Sequence, residues 1–356
     1  MSEFTQALVD AVTDACVRHP STTSTIEAGW NAPLWSALEQ IGITLLSVPE
    51  ERGGAGGDIL TAAAVLEVLG EHSATVPYVE TALQAAWLLA AARAPIPAGP
   101  LSAAVGTGSV SLDRTSTGWV LDGTVNRVPY ARHVAHVVLL VGEHVVMVRS
   151  REFEALHGAN LAGEARDSVT FDRVALASDR VFDASGTEAT AALFEARGAV
   201  GRMAQTAGAA KRALEMSLAY SAERTQFGRP VSAFQAVQHL IAETAGEVAV
   251  CKVVAESAAL ALDEVAEYSF AVGAARTSAG YSAGAVARIA HQIHGAIGFT
   301  EEHDLRLSTT RIWSWREEFG SVRRWSESVG TAVVDAGADG LWPMLTAHTV
   351  AADAPN

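Results

Sequence analysis

The sequence predicts an α+β protein that is mainly α, with an N-terminal helical domain, a small central β-domain and a C-terminal four-helix bundle. Over most of the chain, apolar residues recur at the three- and four-residue spacing of amphipathic helices. Only the middle of the chain contains short Val-rich segments separated by turn residues, and β-branched residues favour strands. We therefore expect domains at residues 1–98, 99–188 and 189–350.

The composition is that of a folded protein with an acidic balance. Hydrophobic residues make up 49% of the 356 residues and charged residues 18%, which argues against disorder. The 25 Lys and Arg residues are outnumbered by 40 Asp and Glu residues, so a broad nucleic-acid surface is not expected. Two isolated cysteines suggest neither a disulfide framework nor a metal cluster. The sequence has no signal-peptide pattern and no long apolar run, so we expect a cytoplasmic protein without a membrane span.

The N-terminal region is predicted to be helical up to a Pro/Gly boundary. Leu34, Leu38 and Ile41 share one face of a helix, and the stretch "SVPEERGGAGGDIL" interrupts the pattern. The stretch "LTAAAVLEVLGEH" resumes it, with Gly70 as the expected C-terminal cap. A second Ala/Leu helix, "ETALQAAWLLAAAR", ends at "APIPAGP".

The central region is predicted to form strands. The segments "GWVLDGTVNRVPYA", "HVVLLVGEHVVMVRS" and "DSVTFDRVAL" are short, Val-rich and separated by turn residues. A hairpin is expected around Gly142 and Glu143. In "SVTFDRV" the residues alternate in polarity, as in a strand with one buried face.

The C-terminal region is predicted to contain two very long helices, two shorter ones and a compact turn, "RTQFGRPVSAFQ". In this turn Gly228 and Pro230 suit a helix end, and Ser232 with Gln235 fits a capping box for the next helix. These local signals leave the pairing of Arg224 and Phe227 unexplained.

Four segments in the same order resemble the acyl-CoA dehydrogenases, which are flavoenzymes with helices, a β-domain and a four-helix bundle. The segments are "LWSALEQIGITLLSVPEERGGAGGD", "DGTVNRVPYARHVAHVVLLV", "YSAERTQFGRPVSAFQAVQHLIAE" and "QIHGAIGFTEEHDLRL". They span nearly the whole chain. The chain also resembles the short subunits of actinobacterial heterotetrameric acyl-CoA and steroid-CoA dehydrogenases.

The resemblance implies FAD as cofactor and a set of residues that bind it. Arg224 would contact the FAD pyrophosphate of a neighbouring subunit, since a guanidinium fork matches phosphate oxygens. His294 would be a local hydrogen-bonding residue rather than a metal ligand. The cofactor-binding residues implied are Arg224, Gln226, Phe227, Gln292, Gly295 and Ala296, the last standing where the family usually has a second Gly.

The resemblance implies α,β-dehydrogenation of an acyl-CoA thioester with a carboxylate as base. Counting without gaps from Phe299 places Phe319 in the base position, and a shift of one residue makes Glu318 the base. A second position used in the family falls on Gly198, with Glu195 one turn earlier. Glu318 is the candidate catalytic residue, and the alternative is that both Glu317 and Glu318 are ordinary surface charges.

The central region departs from the family at one point. The loop that usually reads "T-E-P-x-x-G-S-D" has no counterpart between Leu101 and Gly118. We therefore expect one subunit of an α2β2 hetero-oligomer with a paralogous partner, and a homo-oligomer is the alternative. The resemblance implies an acyl-CoA substrate, such as the thioester of a steroid side chain, and an electron-transferring flavoprotein as acceptor. Two alternative functions stay open. The chain could be a non-catalytic subunit that completes the FAD site, or it could be a flavin oxidase or monooxygenase.

Overall fold

The chain folds in the predicted order of helices, sheets and helices. A computed structural model describes residues 2–21, 29–264 and 268–346. The N-terminal helices are α1 (Glu3–Arg18), α2 (Ala32–Ile41), α3 (Ile59–Glu71) and α4 (Ala86–Ala91), and a π-helix at Val79–Ala85 leads into α4. The central strands are β1 (Leu101–Gly106), β2 (Val110–Arg114), β3 (Trp119–Pro129), β4 (His136–Val141), β5 (His144–Arg149), β6 (Glu154–Leu156), β7 (Arg166–Leu176) and β8 (Val181–Asp183). The C-terminal helices are α5 (Ala191–Glu223), α6 (Gln235–Glu264), α7 (Tyr268–His294), α8 (Leu305–Trp315) and α9 (Val322–Thr346).

The predicted domain boundaries fall in the connections before β1 and before α5. The division into domains at residues 98 and 188 stays a prediction, and the predicted end at residue 350 lies outside the described residues.

Two four-stranded sheets form the central region, in the orders β1-β4-β5-β8 and β2-β3-β7-β6. The predicted hairpin is confirmed, because β4 and β5 pair with Val141 opposite His144 around Gly142, whose φ is 57°. Alternate residues of a strand point to the same face, so each sheet contributes one apolar face to a shared core. The buried members of this core include Val137, Leu139, Val169 and Phe171.

Glycines allow α3 and α5 to cross in close contact. A β-carbon on Gly70 would lie 2.0 Å from the carbonyl oxygen of Gln205, and one on Gly208 would lie 1.8 Å from that of Glu67. The predicted C-terminal cap at Gly70 is therefore wrong. The helix continues to Glu71, and the glycine serves the approach of the two backbones instead.

The turn between α5 and α6 also differs from its predicted form. Val231–Ala233 makes a 3-10 turn and α6 begins at Gln235. Ser232 therefore lies inside that turn, and Gln235 is the first helical residue rather than the third. The predicted capping box is wrong because Phe234, not Ser232, directly precedes the helix, and its carbonyl accepts from the Gln238 N–H at 3.1 Å.

Long-range contacts tie the C-terminal helices to the N-terminal region. Asp263, near the end of α6, accepts the Ile59 N–H at the start of α3 at 3.0 Å. One large core joins the N-terminal helices to α5, and a second lies among α5, α6, α7 and α8. Cys16 and Cys251 are both buried and free.

Candidate functional site

The segment between α5 and α6 is a small hairpin at the end of the bundle. Gln226 pairs with Arg229, and the turn takes left-handed backbone at Phe227 (φ 52°) and Gly228 (φ 78°). The Phe227 side chain is 92% exposed. Arg224 and Gln226 are also exposed, and their side chains make no hydrogen bond or ion pair with the described residues. Both are therefore free to donate hydrogen bonds to a ligand.

A second segment with predicted site residues follows α7. Gln292 and Ala296 are exposed, and Gly295 has a left-handed φ of 64° where the helix ends. His294 is buried, and its Nδ1 lies 2.7 Å from the carbonyl oxygen of Ala290. The prediction that His294 is a local hydrogen-bonding residue is confirmed.

These two segments meet at one end of the bundle. The ring of Tyr220, in the last turn of α5, stacks on the ring of His294 with 4.7 Å between centroids. The Arg224 N–H donates to the carbonyl of Tyr220 at 2.9 Å. The two segments with predicted cofactor residues thus lie at the same end of the bundle. We call those residues together the donor surface (Arg224, Gln226, Phe227, Gln292, Gly295 and Ala296).

The chemistry of the donor surface fits a nucleotide cofactor. The guanidinium of Arg224 offers a planar fork that suits the oxygens of a pyrophosphate. The amides of Gln226 and Gln292 add neutral donors and acceptors, and Gly295 lets a ligand approach the backbone closely. The role of these residues in binding FAD stays a prediction.

Glu318 is held by two arginines where the three regions of the chain meet, and it is only 8% exposed. Its Oε1 accepts from Arg166 at 2.8 Å and from Asn160 at 3.1 Å. Its Oε2 accepts from Arg166 at 2.9 Å and from Arg202 at 2.8 Å. Burial by itself would raise the pKa of Glu318, but the charges of Arg166 and Arg202 outweigh burial and lower that pKa to about 2. Its role as base stays a prediction that this bonding does not favour.

Glu318 is one member of a larger buried group, which we call the ion network. The members of the ion network are Glu80, Asn160, Glu164, Arg166, Arg202, Arg311 and Glu318. Its three guanidinium groups balance its three carboxylates. Arg202 on α5 forms an ion pair with Glu80 in the π-helix. Nε of Arg311 on α8 lies 3.5 Å from Oε1 of Glu164. Buried charges persist only when paired, so the network fixes the loop at residue 318 against all three regions.

The two base positions that the sequence suggested are in contact with each other. Phe319 has a left-handed φ of 52°. A β-carbon on Gly198 would lie 2.6 Å from the Phe319 ring and 2.6 Å from Nε2 of Gln84. Phe319 also packs edge-on against Phe194, with 6.3 Å between centroids. An aromatic side chain therefore fills the space that both positions share.

Glu195, the remaining acidic candidate, is held by an ion pair. Its Oε1 accepts from Arg324 at 2.6 Å, and its Oε2 accepts from the same guanidinium. Both oxygens of Glu195 are therefore occupied.

A cavity of about 390 Å³ lies beside Phe319, between β1, β3 and the start of α5. Its walls combine apolar and charged side chains. The lining includes Val105, Val125, Arg127, Phe194, Glu195, Glu317, Glu318, Phe319 and Arg324. This mixed lining makes the cavity the candidate pocket beside both base positions.

The connection between β1 and β2 consists of residues 107–109 alone. The Thr107 carbonyl accepts from the Val110 N–H at 2.8 Å, which closes the turn. Between residues 101 and 118 the chain forms β1, this turn, β2 and a second short turn at residues 115–118. This stretch therefore contains no long loop that could cover the cavity.

The sequence interpretation missed Arg166, Arg202 and Asn160, which bind Glu318. A signal for Arg202 was present, because it stands in the otherwise small and apolar run "GAVGRMAQTAGAA". A charge in such a helix must be paired if it is buried. The sequence does not indicate which acid pairs with it.

None of the helices in the described part of the chain is long and apolar enough to cross a membrane. In the same residues, no group of three or more His, Cys, Asp or Glu side chains is placed to hold a metal ion.

Comparison with known proteins identifies the family. The acyl-CoA dehydrogenase N-terminal domain matches residues 2–93 and the C-terminal domain matches residues 186–316. Acyl-CoA dehydrogenase IpdE2 of Mycolicibacterium smegmatis is 31% identical over 91% of this chain and 96% of its own length. The chain therefore belongs to the acyl-CoA dehydrogenase family, whose members are oxidoreductases and generally flavoproteins.

Solved structures confirm the predicted fold. A chain of the ChsE4-ChsE5 complex from Mycobacterium tuberculosis matches with a TM-score of 0.84 at 22% identity, covering 95% of this chain and 99% of that chain. A variant of the Tcur3481-Tcur3483 steroid ACAD gives a TM-score of 0.82 at 21% identity, over 94% and 99%. The chain thus has the acyl-CoA dehydrogenase fold.

Proposed function

We propose that this chain is the subunit of a heteromeric acyl-CoA dehydrogenase that completes the flavin site of a paralogous partner, while the partner carries the catalytic base. One observation carries the proposal. The two base positions, Gly198 and Phe319, hold no carboxylate and are filled by one aromatic ring. The activity therefore belongs to the assembly, with this chain in a supporting role.

Glu318 is poorly suited to remove a proton. A general base needs a free lone pair within reach of the proton and a pKa near the working pH. All four bonds to its oxygens come from Arg166, Arg202 and Asn160, and its pKa is about 2. We assign it a structural role in the ion network.

The cavity beside Phe319 supports the same reading. In the family, a long loop after the first strand lines the flavin ring and the thioester. Here only residues 107–109 connect β1 to β2. The short connection therefore offers little that could enclose the isoalloxazine ring of a flavin bound by this chain.

The donor surface is the part that this chain supplies. Its Arg224 guanidinium would bind the pyrophosphate of FAD held by the partner, with Gln226 and Gln292 as neutral donors and Phe227 as an apolar contact. When bound, FAD accepts the hydride that leaves the β-carbon of the acyl-CoA. The exposure of these side chains supports a role in an interface between subunits.

The substrate and acceptor are proposed from similarity. Likeness to a steroid ACAD favours a bulky acyl-CoA, such as the thioester of a steroid side chain. An electron-transferring flavoprotein would reoxidise the flavin. Fold likeness alone does not fix a substrate.

Counting FAD per polypeptide tests the proposal. The chain is purified alone and after co-expression with a paralogous acyl-CoA dehydrogenase chain, and FAD is measured from the visible spectrum. We expect no FAD and no turnover from the chain alone, and one FAD for each pair of chains in the complex. One FAD per polypeptide with turnover by the chain alone would contradict the proposal and favour a homo-oligomer with Glu318 as base. Rapid reoxidation of the flavin by O₂ would instead indicate an oxidase or monooxygenase.

A further inference from the structure

Among the described residues that line the cavity beside Phe319, one cation is exposed and has no partner. Its acidic residues are all bonded: Glu318 to Arg166, Glu195 to Arg324 and Glu317 to Arg316 at 3.1 Å. Each of these bonds also gives the arginine involved an acidic partner. The exception is Arg127, whose guanidinium makes no hydrogen bond or ion pair with residues 2–21, 29–264 or 268–346.

The fold holds Arg127 at the cavity in an unusual conformation. The register between β3 and β7 shifts between Val125 and Val128, so Arg127 lies in an irregularity of the ladder. Its φ is 59°, a value that residues other than glycine seldom adopt. Val125 pairs with Val169 on one side of the bulge and Val128 with Asp167 on the other. The paired strands on both sides therefore keep the strained residue in place.

Two aromatic rings form the apolar part of the same cavity. Phe319 and Phe194 line it and pack edge-on against each other. Val105 and Val125 add aliphatic surface. The cavity thus combines one exposed guanidinium that has no partner among the described residues with an apolar wall, in a volume of about 390 Å³. That volume is at the small end of the range for sites that bind small molecules.

We propose that this cavity binds a monocarboxylate with a compact apolar body, with the carboxylate on Arg127 and the body against Phe194 and Phe319. A single unpaired guanidinium matches a single negative charge, and its planar fork suits a carboxylate. The phosphates of coenzyme A would require several free cations, and the described lining offers one.

This inference goes beyond the proposed function, because it assigns a ligand to a pocket that has no base. A free acid in this cavity would be bound without being converted. The ligand would therefore not be the substrate of the assembly.

Calorimetric titration of the full chain with octanoate tests the site. We expect one octanoate per chain and much weaker binding of octan-1-ol, which has the same body without the charge. Octanoyl-CoA should bind no better than the alcohol. Equal affinity for octanoate and octan-1-ol, or tighter binding of octanoyl-CoA than of octanoate, would overturn the proposal. The wild-type protein alone is enough for this test.

Variants at Arg127 give an independent test. Arg127→Gln should weaken octanoate binding by about tenfold or more, since a charge-assisted bond is lost. Arg127→Lys should retain part of the affinity because it keeps the charge. Arg173→Gln is the matched control, because Arg173 also has left-handed backbone (φ 46°) in the same sheet and does not line the cavity. Unchanged affinity in Arg127→Gln, or an equal loss in Arg173→Gln, would overturn the proposal.

Discussion

Gly198 and Phe319 occupy one space: a β-carbon on Gly198 would lie 2.6 Å from the Phe319 ring. The two residues are far apart in sequence, and the resemblance to the family places a candidate base position at each. Because Phe319 covers Gly198, a longer side chain at either position requires the other to be small. A carboxylate side chain at position 198 would therefore require a residue smaller than Phe at position 319.

Gly198→Ala should destabilise the chain by about 1–3 kcal/mol, because the new methyl group overpacks against Phe319 and Gln84. Phe319→Ala made together with Gly198→Ala should recover part of that loss. A double-mutant cycle in urea measures the recovery, and we expect a coupling energy of about 1 kcal/mol.

Gly330→Ala is the control for that cycle. A β-carbon on Gly330 would meet nothing within 4 Å, so alanine in this helix should be neutral or stabilising by up to about 1 kcal/mol. Additive effects of Gly198→Ala and Phe319→Ala would show that the two side chains do not share a space.

Glu318→Gln should lower stability strongly at neutral pH and weakly in acid. The pKa of Glu318 falls from 4.5 to about 2 on folding, so its charge stabilises the fold above about pH 4.5. This contribution is lost as the pH falls toward 2. The shift corresponds to about 3 kcal/mol, which agrees with the usual cost of breaking a buried ion pair, about 3–5 kcal/mol.

The free energies of unfolding of wild type and Glu318→Gln should therefore converge between about pH 4.5 and pH 2. Glu317→Gln is the matched control, because the Glu317 carboxylate is half-exposed and its one ion pair with the described residues is with Arg316. It should cost less than about 1 kcal/mol. A constant difference between wild type and Glu318→Gln across this pH range would argue against the ion network as a source of stability.

Arg224→Gln should reduce FAD binding in the heteromeric complex by about tenfold or more, a prediction that depends on the proposed function. The variant removes a charge-assisted contact to the pyrophosphate. Arg224→Lys should lose less, since it keeps the charge without the fork. Titration of the apo-complex with FAD, followed by flavin fluorescence, measures the affinity.

Arg229→Gln is the control on the same hairpin. The Arg229 guanidinium lies 4.1 Å from the centre of the Phe234 ring, so it already has an intramolecular partner. It should change FAD affinity by less than Arg224→Gln does. Equal losses in the two variants would indicate a general effect of hairpin charge rather than a specific contact.

Much of the fold could be predicted from the sequence because its signals are local. The Val-rich hairpin around Gly142 and the long Ala-rich helix α5 follow from periodicity and turn residues alone. Gly70 shows the limit of such signals, because a glycine near a helix end is equally consistent with a cap or with a close crossing. The partner that decides between them, Gln205, is distant in sequence.

The candidate site was predictable only in part, for the same reason. The motif around Arg224 is contiguous and could be recognised, whereas the partners of Glu318 come from separate elements. Arg166 is 152 residues away and Arg202 is 116 residues away. Sequence spacing could place Glu318 near the base position, but it could not indicate that both of its oxygens are bonded.

Gly208→Ala should be among the most damaging small substitutions in this chain. Its β-carbon would lie 1.8 Å from the carbonyl oxygen of Glu67 and 2.6 Å from the backbone nitrogen of Glu71. Both are backbone atoms of α3, so the clash is relieved only if α3 and α5 separate. That separation would open the large core between the N-terminal helices and α5, and we expect the free energy of unfolding to fall by about 3 kcal/mol or more.

Gly246→Ala is the control, since its β-carbon in α6 would meet nothing within 4 Å. Urea unfolding measures both variants, and a loss in Gly208→Ala no larger than in Gly246→Ala would mean that the two helices cross with more room than this contact implies.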